Sequence, residues 1–454
     1  MIKQIFDAIV IGSGQAGTPL VFRLANEGKK VAFIEKEYFG GTCVNNGCTP
    51  TKTYVASAKR IWDVKKAKDL GIIVPDGFKI DLKRVKARKD KIVSESVEGI
   101  SKGVSDNDKI VYFKGKAAFT DFKTVAVNGE TLTAEKIFIN VGGRSHIPEG
   151  FEEVDYLTNK TILELEEVPE HLIILGGSYL GLEFGQMFSR FGSKVTIIEK
   201  NDRITPKEDQ EVSEAIISFL KEEGIDFYLN STRVNAQQNE KQITVNFNSD
   251  NQEKSIKGSH LLLAVGRDSN ADTLSLDKTN VKTDKRNFIT VNDYLETNIK
   301  GIYALGDCNG RGAFTHTSYN DYEIIVANMF DNGDRKVTDR IITYGLYIDP
   351  PLGRVGMTIK DAENKGLNFK VVKREMNKIS RAKEKGETKG FISIIVDLDS
   401  NKILGATVLG VGGDEIISSL INVMYADVPF TVIRDSVHPH PTVSELIPTI
   451  LEEI

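Results

Sequence analysis

Two kinds of apolar pattern alternate along this chain. Compact runs at 5–11 (interrupted by Asp7), 31–34, 172–175 and 195–198 lack a polar face. They predict strands covered on both sides, as in a parallel sheet. After the first and third runs, apolar residues recur at helical intervals. Leu20, Val21, Leu24 and Ala25 predict one helix, with Pro19 in its first turn, where a missing N–H does no harm, and Gly28 closing it. The second helix runs to Phe191 and is stopped by Gly192. Strand, turn, helix and strand therefore occur twice in the same order. Farther along, 315–330 and 414–426 predict helices, 391–396 and 403–411 predict strands, and the charged stretch Lys59–Lys91 predicts long surface helices.

Each repeat has a glycine-rich turn between strand and helix. The first is Gly12-Ser13-Gly14-Gln15-Ala16-Gly17, a complete G-x-G-x-x-G. Its first glycine permits the tight turn, its second lets backbone approach a pyrophosphate, and its third lets helix and strand pack closely. The helix N-terminus supplies free N–H groups. A lone motif of this kind is often only a turn. Here a strand precedes it, a helix follows it, and Glu35 ends the next strand, placed to accept from ribose hydroxyls. The second copy, Gly176-Gly177-Ser178-Tyr179-Leu180-Gly181, is followed by Glu199, and in both copies the acid stands 23 residues after the first glycine. Two such units predict two dinucleotide sites. Ser178 replaces the second glycine but is small enough to leave a pyrophosphate room. Glu199 favours NADH over NADPH because it repels a 2′-phosphate, whereas the neighbouring Lys200 and Arg203 favour the reverse.

Length and composition narrow the class. At roughly 150 residues per domain, 454 residues suggest about three domains, and 40% hydrophobic with 27% charged residues exclude intrinsic disorder. The net charge of −5 gives no strong field for nucleic acid or anionic lipid. No apolar run approaches the ~18 residues that span a bilayer. The first residues enter a strand instead of a signal-peptide pattern, so a cytoplasmic protein is expected. Only three cysteines occur, Cys43, Cys48 and Cys308, too few for a disulfide scaffold. A bridge across 43–48 would close a very short loop and remove little chain entropy. In a reducing compartment so close a pair points to redox chemistry or metal binding. Structural zinc lacks further ligands at suitable spacing, and the Thr and Gly neighbours of the two cysteines argue against two unpaired core thiols. No metal site is expected. Pro50 suits the first turn of a helix to about Lys66, which puts Cys48 beside a helix N-terminus that favours a thiolate.

The run from Gly41-Thr42-Cys43 to Cys48 and Lys52 resembles the active-site signature of the flavoprotein disulfide reductases, the class I pyridine nucleotide-disulfide oxidoreductases. Further landmarks follow in order: Gly115-Lys116-Ala117, Val141-Gly142-Gly143-Arg144, Ala264-Val265-Gly266-Arg267, Ile302 to Asp307, and His440-Pro441-Thr442-Val443-Ser444-Glu445. The resemblance spans essentially the whole chain. It implies an α/β fold with two Rossmann-like domains, one for FAD and one for NAD(P), and a C-terminal α+β dimerisation domain. The FAD domain would cover 1–147 and 268–335, the NAD(P)H domain 148–267, and the interface domain 336–454.

The same resemblance implies the site. FAD would meet Gly12, Gly14, Gly17, Glu35, Gly41, Thr42, Lys52, Gly115, Ala117, Asp307 (on the ribityl chain), Ala313, Phe314 and Thr315. The nicotinamide nucleotide would meet Gly176, Gly177, Tyr179, Leu180, Gly181, Glu199 and Gly266. The helix from Thr315 would favour negative charge on the reduced flavin through its N-terminus. Cys43 and Cys48 would form the redox disulfide, with Cys48 as the charge-transfer thiolate against the flavin and Cys43 as the outer, attacking thiol. Lys52 and Glu183 would pair beside the flavin, and Tyr179 would gate it. His440, oriented by Glu445, would act as general acid in the other subunit of a homodimer; His438 is the alternative two residues earlier.

The acceptor stays open at this level. Thr49, Thr51-Lys52-Thr53 and 312–322 are most similar to mercuric reductase-like chains, yet no cysteine follows Cys308, so the C-terminal pair of authentic mercuric reductases is missing. The expected activity is NAD(P)H-dependent, FAD-containing reduction of a small disulfide, oxidant or metal ion. Dihydrolipoamide dehydrogenase is the alternative, and a flavin-dependent redox sensor is the alternative of another class.

Overall fold

The computed structural model describes residues 3–454. The first apolar run forms β1 (Lys3–Ile11), followed by α1 (Gly17–Asn26) and β2 (Val31–Glu35). Next come α2 (Gly41–Asn46), α3 (Cys48–Lys66), α4 (Leu82–Ser105), β3 (Ile110–Lys114), β4 (Ala118–Asp121), β5 (Thr124–Val127) and β6 (Glu130–Ile139). The strands are ordered β3-β2-β1-β6-β5-β4. β1 is parallel to both β2 and β6, with Ile11 opposite Ile34 and Ile139. Ile9, Leu20, Leu24, Phe33 and Phe138 fill the core between this sheet and its helices.

One sequence expectation fails here. The 5–11 strand is not covered on both faces throughout: Ile5 is 73% exposed. β1 outruns β2, pairing with it only from Ala8 onward, so its first residues have a neighbour on one side alone. The stretch Lys59–Lys91 does carry long helices, the end of α3 and the start of α4, with a break between them. Gly71 and Gly77, both in left-handed backbone, flank Pro75 in the connection between α3 and α4, where a helix cannot continue.

The chain then crosses to a second parallel sheet through β7 (Gly143–Ser145). That sheet is built from β8 (Tyr156–Leu157), β9 (His171–Leu175), α5 (Tyr179–Phe191), β10 (Lys194–Ile198), α6 (Gln210–Glu222) and β11 (Ile225–Tyr228). An antiparallel flap of β12 (Thr232–Asn239), β13 (Gln242–Ser249) and β14 (Gln252–Gly258) precedes β15 (His260–Leu263), and the parallel order is β11-β10-β9-β15-β8. β16 (Arg267–Ser269) returns antiparallel to β7, so the two crossings form one ribbon. β17 (Ile302–Ala304) rejoins the first sheet beside β6, and α7 (Thr315–Phe330) follows.

The remaining chain forms an antiparallel sheet of β18 (Thr343–Leu346), β19 (Leu352–Gly356), β20 (Phe369–Glu375), β21 (Phe391–Asp397) and β22 (Ile403–Leu409), ordered β18-β19-β22-β21-β20. Helix Gly413–Tyr425 packs on β19 and β22. Among the described residues no helix is long and apolar enough to cross a membrane.

Candidate active site

The C-terminal ends of the second sheet's parallel strands, at Leu175, Ile198 and Leu263, border one cleft of about 2610 Å³, which Gln15 of the first glycine turn and Asp307 after β17 also line. Ligands of such sheets bind where the strand order reverses, outside those ends. Cys48, Lys52 and Thr42 line one wall, Tyr179, Glu183 and Glu199 the facing wall, and Asp307 and Thr315 a third side.

The cysteines sit at a break between two helices. Cys43 lies in the short α2, and Gly47 ends that turn so that Cys48 becomes the first residue of α3. A Cβ on Gly47 would stand 2.7 Å from the Thr42 carbonyl oxygen, so only glycine lets the chain fold back this tightly. Asn45 Nδ2 donates to the Phe39 and Gly41 carbonyls, at 2.8 and 2.9 Å, and fixes the turn. Both thiols are free here: Cys48 is exposed to the cleft and Cys43 is half-buried. The Cys48 pKa is lowered to about 6, first by the hydrogen bond from the Cys43 thiol and then by the Thr315 hydroxyl and the Lys52 charge, against the opposing effect of burial. Thr315 Oγ1 stands 3.1 Å from Cys48 Sγ. The Cys43 pKa is pushed strongly upward, because that thiol donates to Cys48 and is itself buried. The pair is thus polarised, with negative charge favoured on the Cys48 sulfur and the proton on Cys43.

Lys52 and Glu183 come together across the cleft. Lys52 Nζ donates to Glu183 Oε2 at 2.6 Å and lies 4.4 Å from the centre of the Tyr347 ring, while Glu183 Oε1 accepts from the Tyr347 N–H at 3.0 Å. Tyr179 begins α5, where Leu180 also lines the cleft, and its ring meets those of Phe314 and Tyr344.

The glycine turns hold their acids similarly. Glu35 Oε2 accepts from Ser13 N and Oγ at 2.9 and 2.7 Å, and Oε1 accepts from Glu37 N at 2.8 Å. A carboxylate has about four acceptor positions, which leaves one for a ribose hydroxyl. Glu199 Oε2 accepts from Gly177 N at 2.6 Å, and its Oε1 accepts from Asn201 N and Nδ2. Gly12, Gly14, Gly17, Gly41 and Gly181 serve close backbone packing: a Cβ on any of them would lie under 3.0 Å from a neighbouring atom. Gly115 donates its N–H to the Glu35 carbonyl and, with the buried Ala117, closes the end of the first sheet. Gly266, with φ +130 and open space where a Cβ would stand, lines the cleft itself.

The donor set fits FAD. Arg267 Nε is buried without a hydrogen-bond partner, 3.5 Å from Asp307 Oδ2. Burial raises the Asp307 pKa and the Arg267 charge opposes that rise. A polyhydroxylated chain along this wall offers both groups the partners they lack. Ala313 and Phe314 continue the wall to Thr315, the first residue of α7, whose N-terminal N–H groups face the same space. Among the described residues no group of three or more His, Cys, Asp or Glu side chains is placed to hold a metal ion.

The terminal motif lies elsewhere. His440 Nδ1 is 2.9 Å from Glu445 Oε2, and this contact belongs to His440 and not to His438. His440 is exposed, and neither it nor Glu445 lines the cleft of its own chain. Nearby in sequence, Val437 is fully exposed and Val432 is exposed. Three participants escape sequence reasoning: Asn140, Glu208 and Tyr344. Asn140, a polar residue directly after the apolar end of β6, carried a readable signal. Glu208 and Tyr344 carried none.

Residues 6–321 match the pyridine nucleotide-disulphide oxidoreductase family, and residues 342–450 match the dimerisation domain of that family. A probable pyridine nucleotide-disulfide oxidoreductase, RclA of Escherichia coli, is 33% identical over 97% of both chains. Mercuric reductase of Staphylococcus aureus is 30% identical over 97% of this chain and 81% of its own. Dihydrolipoyl dehydrogenase of Mycoplasma pneumoniae is 31% identical over 97% of both. The solved Cu(II) complex of the HOCl-induced flavoprotein disulfide reductase RclA from Escherichia coli superposes with a TM-score of 0.90, at 32% identity over the full length of both chains.

Proposed function

Because this chain belongs to the pyridine nucleotide-disulphide oxidoreductases and is an FAD-dependent oxidoreductase of that family, we propose that it reduces a small oxidised acceptor through the Cys43–Cys48 pair. The observation that carries this reading is the pair of cysteines at the break between α2 and α3, with Cys48 on the wall of a cleft that both dinucleotide turns also reach. When bound, FAD and NAD(P)H supply two-electron transfer.

The chain's own residues do the rest. Lys52 presents a cation to the reacting end of the cleft, and Glu183 keeps it paired and oriented. Tyr179 covers that end until a nicotinamide arrives. Glu199 on the nucleotide wall favours NADH. With a disulfide acceptor, Cys43 loses its proton, bonds to one acceptor sulfur and releases the other as a thiolate. Cys48 then attacks the Cys43 sulfur, releases the second thiolate and restores the protein disulfide. Because Cys43 keeps its proton beside Cys48, a base is required, and the His440–Glu445 pair of the partner in a homodimer supplies it and later returns the proton. With a metal-ion acceptor, two Cu²⁺ ions take one electron each from the reduced pair of one thiolate and one thiol, giving two Cu⁺, one proton and the disulfide. That RclA was solved as a Cu(II) complex supports including this ion in the test. Identity with dihydrolipoyl dehydrogenase over 97% of both chains favours dihydrolipoamide oxidation as the second reading.

The test is anaerobic reduction with NADH and NADPH, followed by turnover against glutathione disulfide, lipoamide, Cu²⁺ and Hg²⁺. Cys48→Ser is expected to lose at least about 10³-fold in turnover. Wild-type rates in that variant would refute the thiol route. Stoichiometric reduction with no turnover on any acceptor would favour the redox sensor.

A further inference from the structure

Behind the aromatic wall of the cleft lies a carboxylate that no motif singles out. Glu208 is 2% exposed. Its Oε1 accepts from the Tyr344 hydroxyl at 2.6 Å and from the Tyr179 hydroxyl at 3.1 Å, while Oε2 is buried with no partner. The cation whose charge reaches it, Arg354, is buried too; it donates to Asp209 at 3.2 Å, to Thr407 and to the Met357 carbonyl, while its Nε, like Glu208 Oε2, has no hydrogen-bond partner. A buried carboxylate short of donors holds strongly to those it has. The two tyrosines are unequal. Tyr344 makes the short bond and anchors the carboxylate. Both rings line the cleft, but Tyr179 makes the longer bond and stands at the first residue of α5, on the nucleotide turn.

We propose that Glu208 is a positioning residue that latches Tyr179 in its closed place, so that an entering nicotinamide must break the Tyr179–Glu208 hydrogen bond. This rests on the reading of Tyr179 as the cover of the reacting end. Tyr344 makes the latch reversible: when Tyr179 leaves, Oε1 still has a donor, and the carboxylate is never wholly stripped. The latch lowers apparent affinity for the nucleotide by the population of the open ring, a cost that a first-order preference for the closed state imposes on any ligand of the open one.

The test uses the FAD-loaded homodimer and equilibrium binding of NAD⁺ and of NADP⁺ by calorimetry, with KM for the reduced nucleotides alongside. Tyr179→Phe keeps the ring and removes the donor; its Kd is expected to fall about three- to tenfold, the worth of one such hydrogen bond. Glu208→Gln weakens the acceptor at constant shape and shifts Kd the same way, and the double variant gains no more than the larger single. Tyr344→Phe leaves Tyr179 as the sole donor to Oε1, so its Kd stays or rises. A fall in Kd for Tyr179→Phe with no fall for Tyr344→Phe is the signature, since general loosening moves both variants together. An unchanged or weaker Kd in Tyr179→Phe overturns the latch, as does a common shift in all three variants. If Glu208→Gln does not fold, the two tyrosine variants decide alone. Failure of both NADH and NADPH to reduce the wild-type protein would instead strike the functional reading, whatever the variants bind.

Discussion

The two glycine-rich turns, Gly12–Gly17 and Gly176–Gly181, are built alike and differ in one facing pair. In each, a Cβ on the first glycine would strike the carbonyl oxygen at the end of the neighbouring strand, Asn140 at 2.3 Å or Ala264 at 2.4 Å. In each, a Cβ on the third glycine would strike the first glycine's oxygen, at 2.1 or 2.0 Å. The backbone N–H groups of Asn140 and Ala264 make equivalent bonds, to Ile11 and Leu175. The side chains at that position part company. Asn140 accepts from Gly17 N at 2.9 Å and donates to the Leu305 carbonyl at 2.8 Å. Its amide fills the space over Gly14, where a Cβ would fall 2.6 Å from Oδ1. Ala264 has no amide, and Ser178 stands where the second glycine would.

The difference teaches that the second glycine of this motif answers to the residue opposite as well as to a pyrophosphate. Asn140 ties three chain segments together at the first turn: the end of β6, the start of α1 and the Leu305 loop that leads to Asp307. That loop is braced again, with Asp321 Oδ2 accepting from Gly306 N at 2.7 Å and from Asn309 Nδ2 at 2.9 Å. The second turn has no such staple. A cofactor that stays bound suits the first arrangement, and one that comes and goes with each turnover suits the second.

The largest effect comes from importing the second turn's residue into the first. Gly14→Ser has no backbone conflict, since Gly14 lies outside the left-handed region, but its side chain must evict the Asn140 amide. Two buried hydrogen bonds are lost, so about 2–4 kcal/mol of stability should go, seen as a lower Tm and a protein that purifies with little flavin. Adding Asn140→Ala removes the obstacle. The double variant should be less destabilised than the sum of the singles by at least about 1 kcal/mol. Additive costs would break the comparison.

Much of this frame was legible beforehand. Both strand–turn–helix units, the 315–330 helix, and the helix start that puts Cys48 at an N-terminus follow from local periodicity and turn chemistry. Such signals survive because buried parallel strands tolerate few polar residues. The latch was not legible: Glu208 precedes a helix and Tyr344 lies 136 residues beyond it, and only tertiary packing brings such residues together. Exposure of Ile5 was missed for a related reason. An apolar run states that a strand exists but not how far its neighbour extends.

A smaller effect probes the seam where the units meet, because Lys52 belongs to α3 of the first and Glu183 to α5 of the second. The Lys52 charge lowers the Cys48 pKa and the Glu183 charge raises it. Lys52→Met should therefore move the thiolate titration upward from about 6 and Glu183→Gln downward, each by about one unit, or roughly 1.4 kcal/mol. The rate of alkylation by iodoacetamide against pH measures this directly: in the wild type it should fall as pH drops through about 6, where Cys48 takes up its proton. Cys43→Ala removes the largest cause of the lowering and should shift the curve upward as well. Equal curves for the Lys52 and Glu183 variants would show that the seam does not carry the charge coupling.

The smallest effect is the reciprocal exchange, Ser178→Gly. Ser178 caps α5 in extended backbone, yet its side chain makes no capping hydrogen bond. Replacing a capping serine by glycine costs a few tenths of a kcal/mol in general, and here there is not even a bond to lose. Nor does Ala264 present an amide whose position depends on the hydroxyl. The expected change in Tm is within about 2 °C, against a large loss for Gly14→Ser. That asymmetry is what a staple on one turn alone requires, because a side chain is costly to add where the space is filled and cheap to remove where it touches little. A large loss in Ser178→Gly would mean that the hydroxyl holds the second turn as Asn140 holds the first, and the two units would then differ only in the atoms that fasten them.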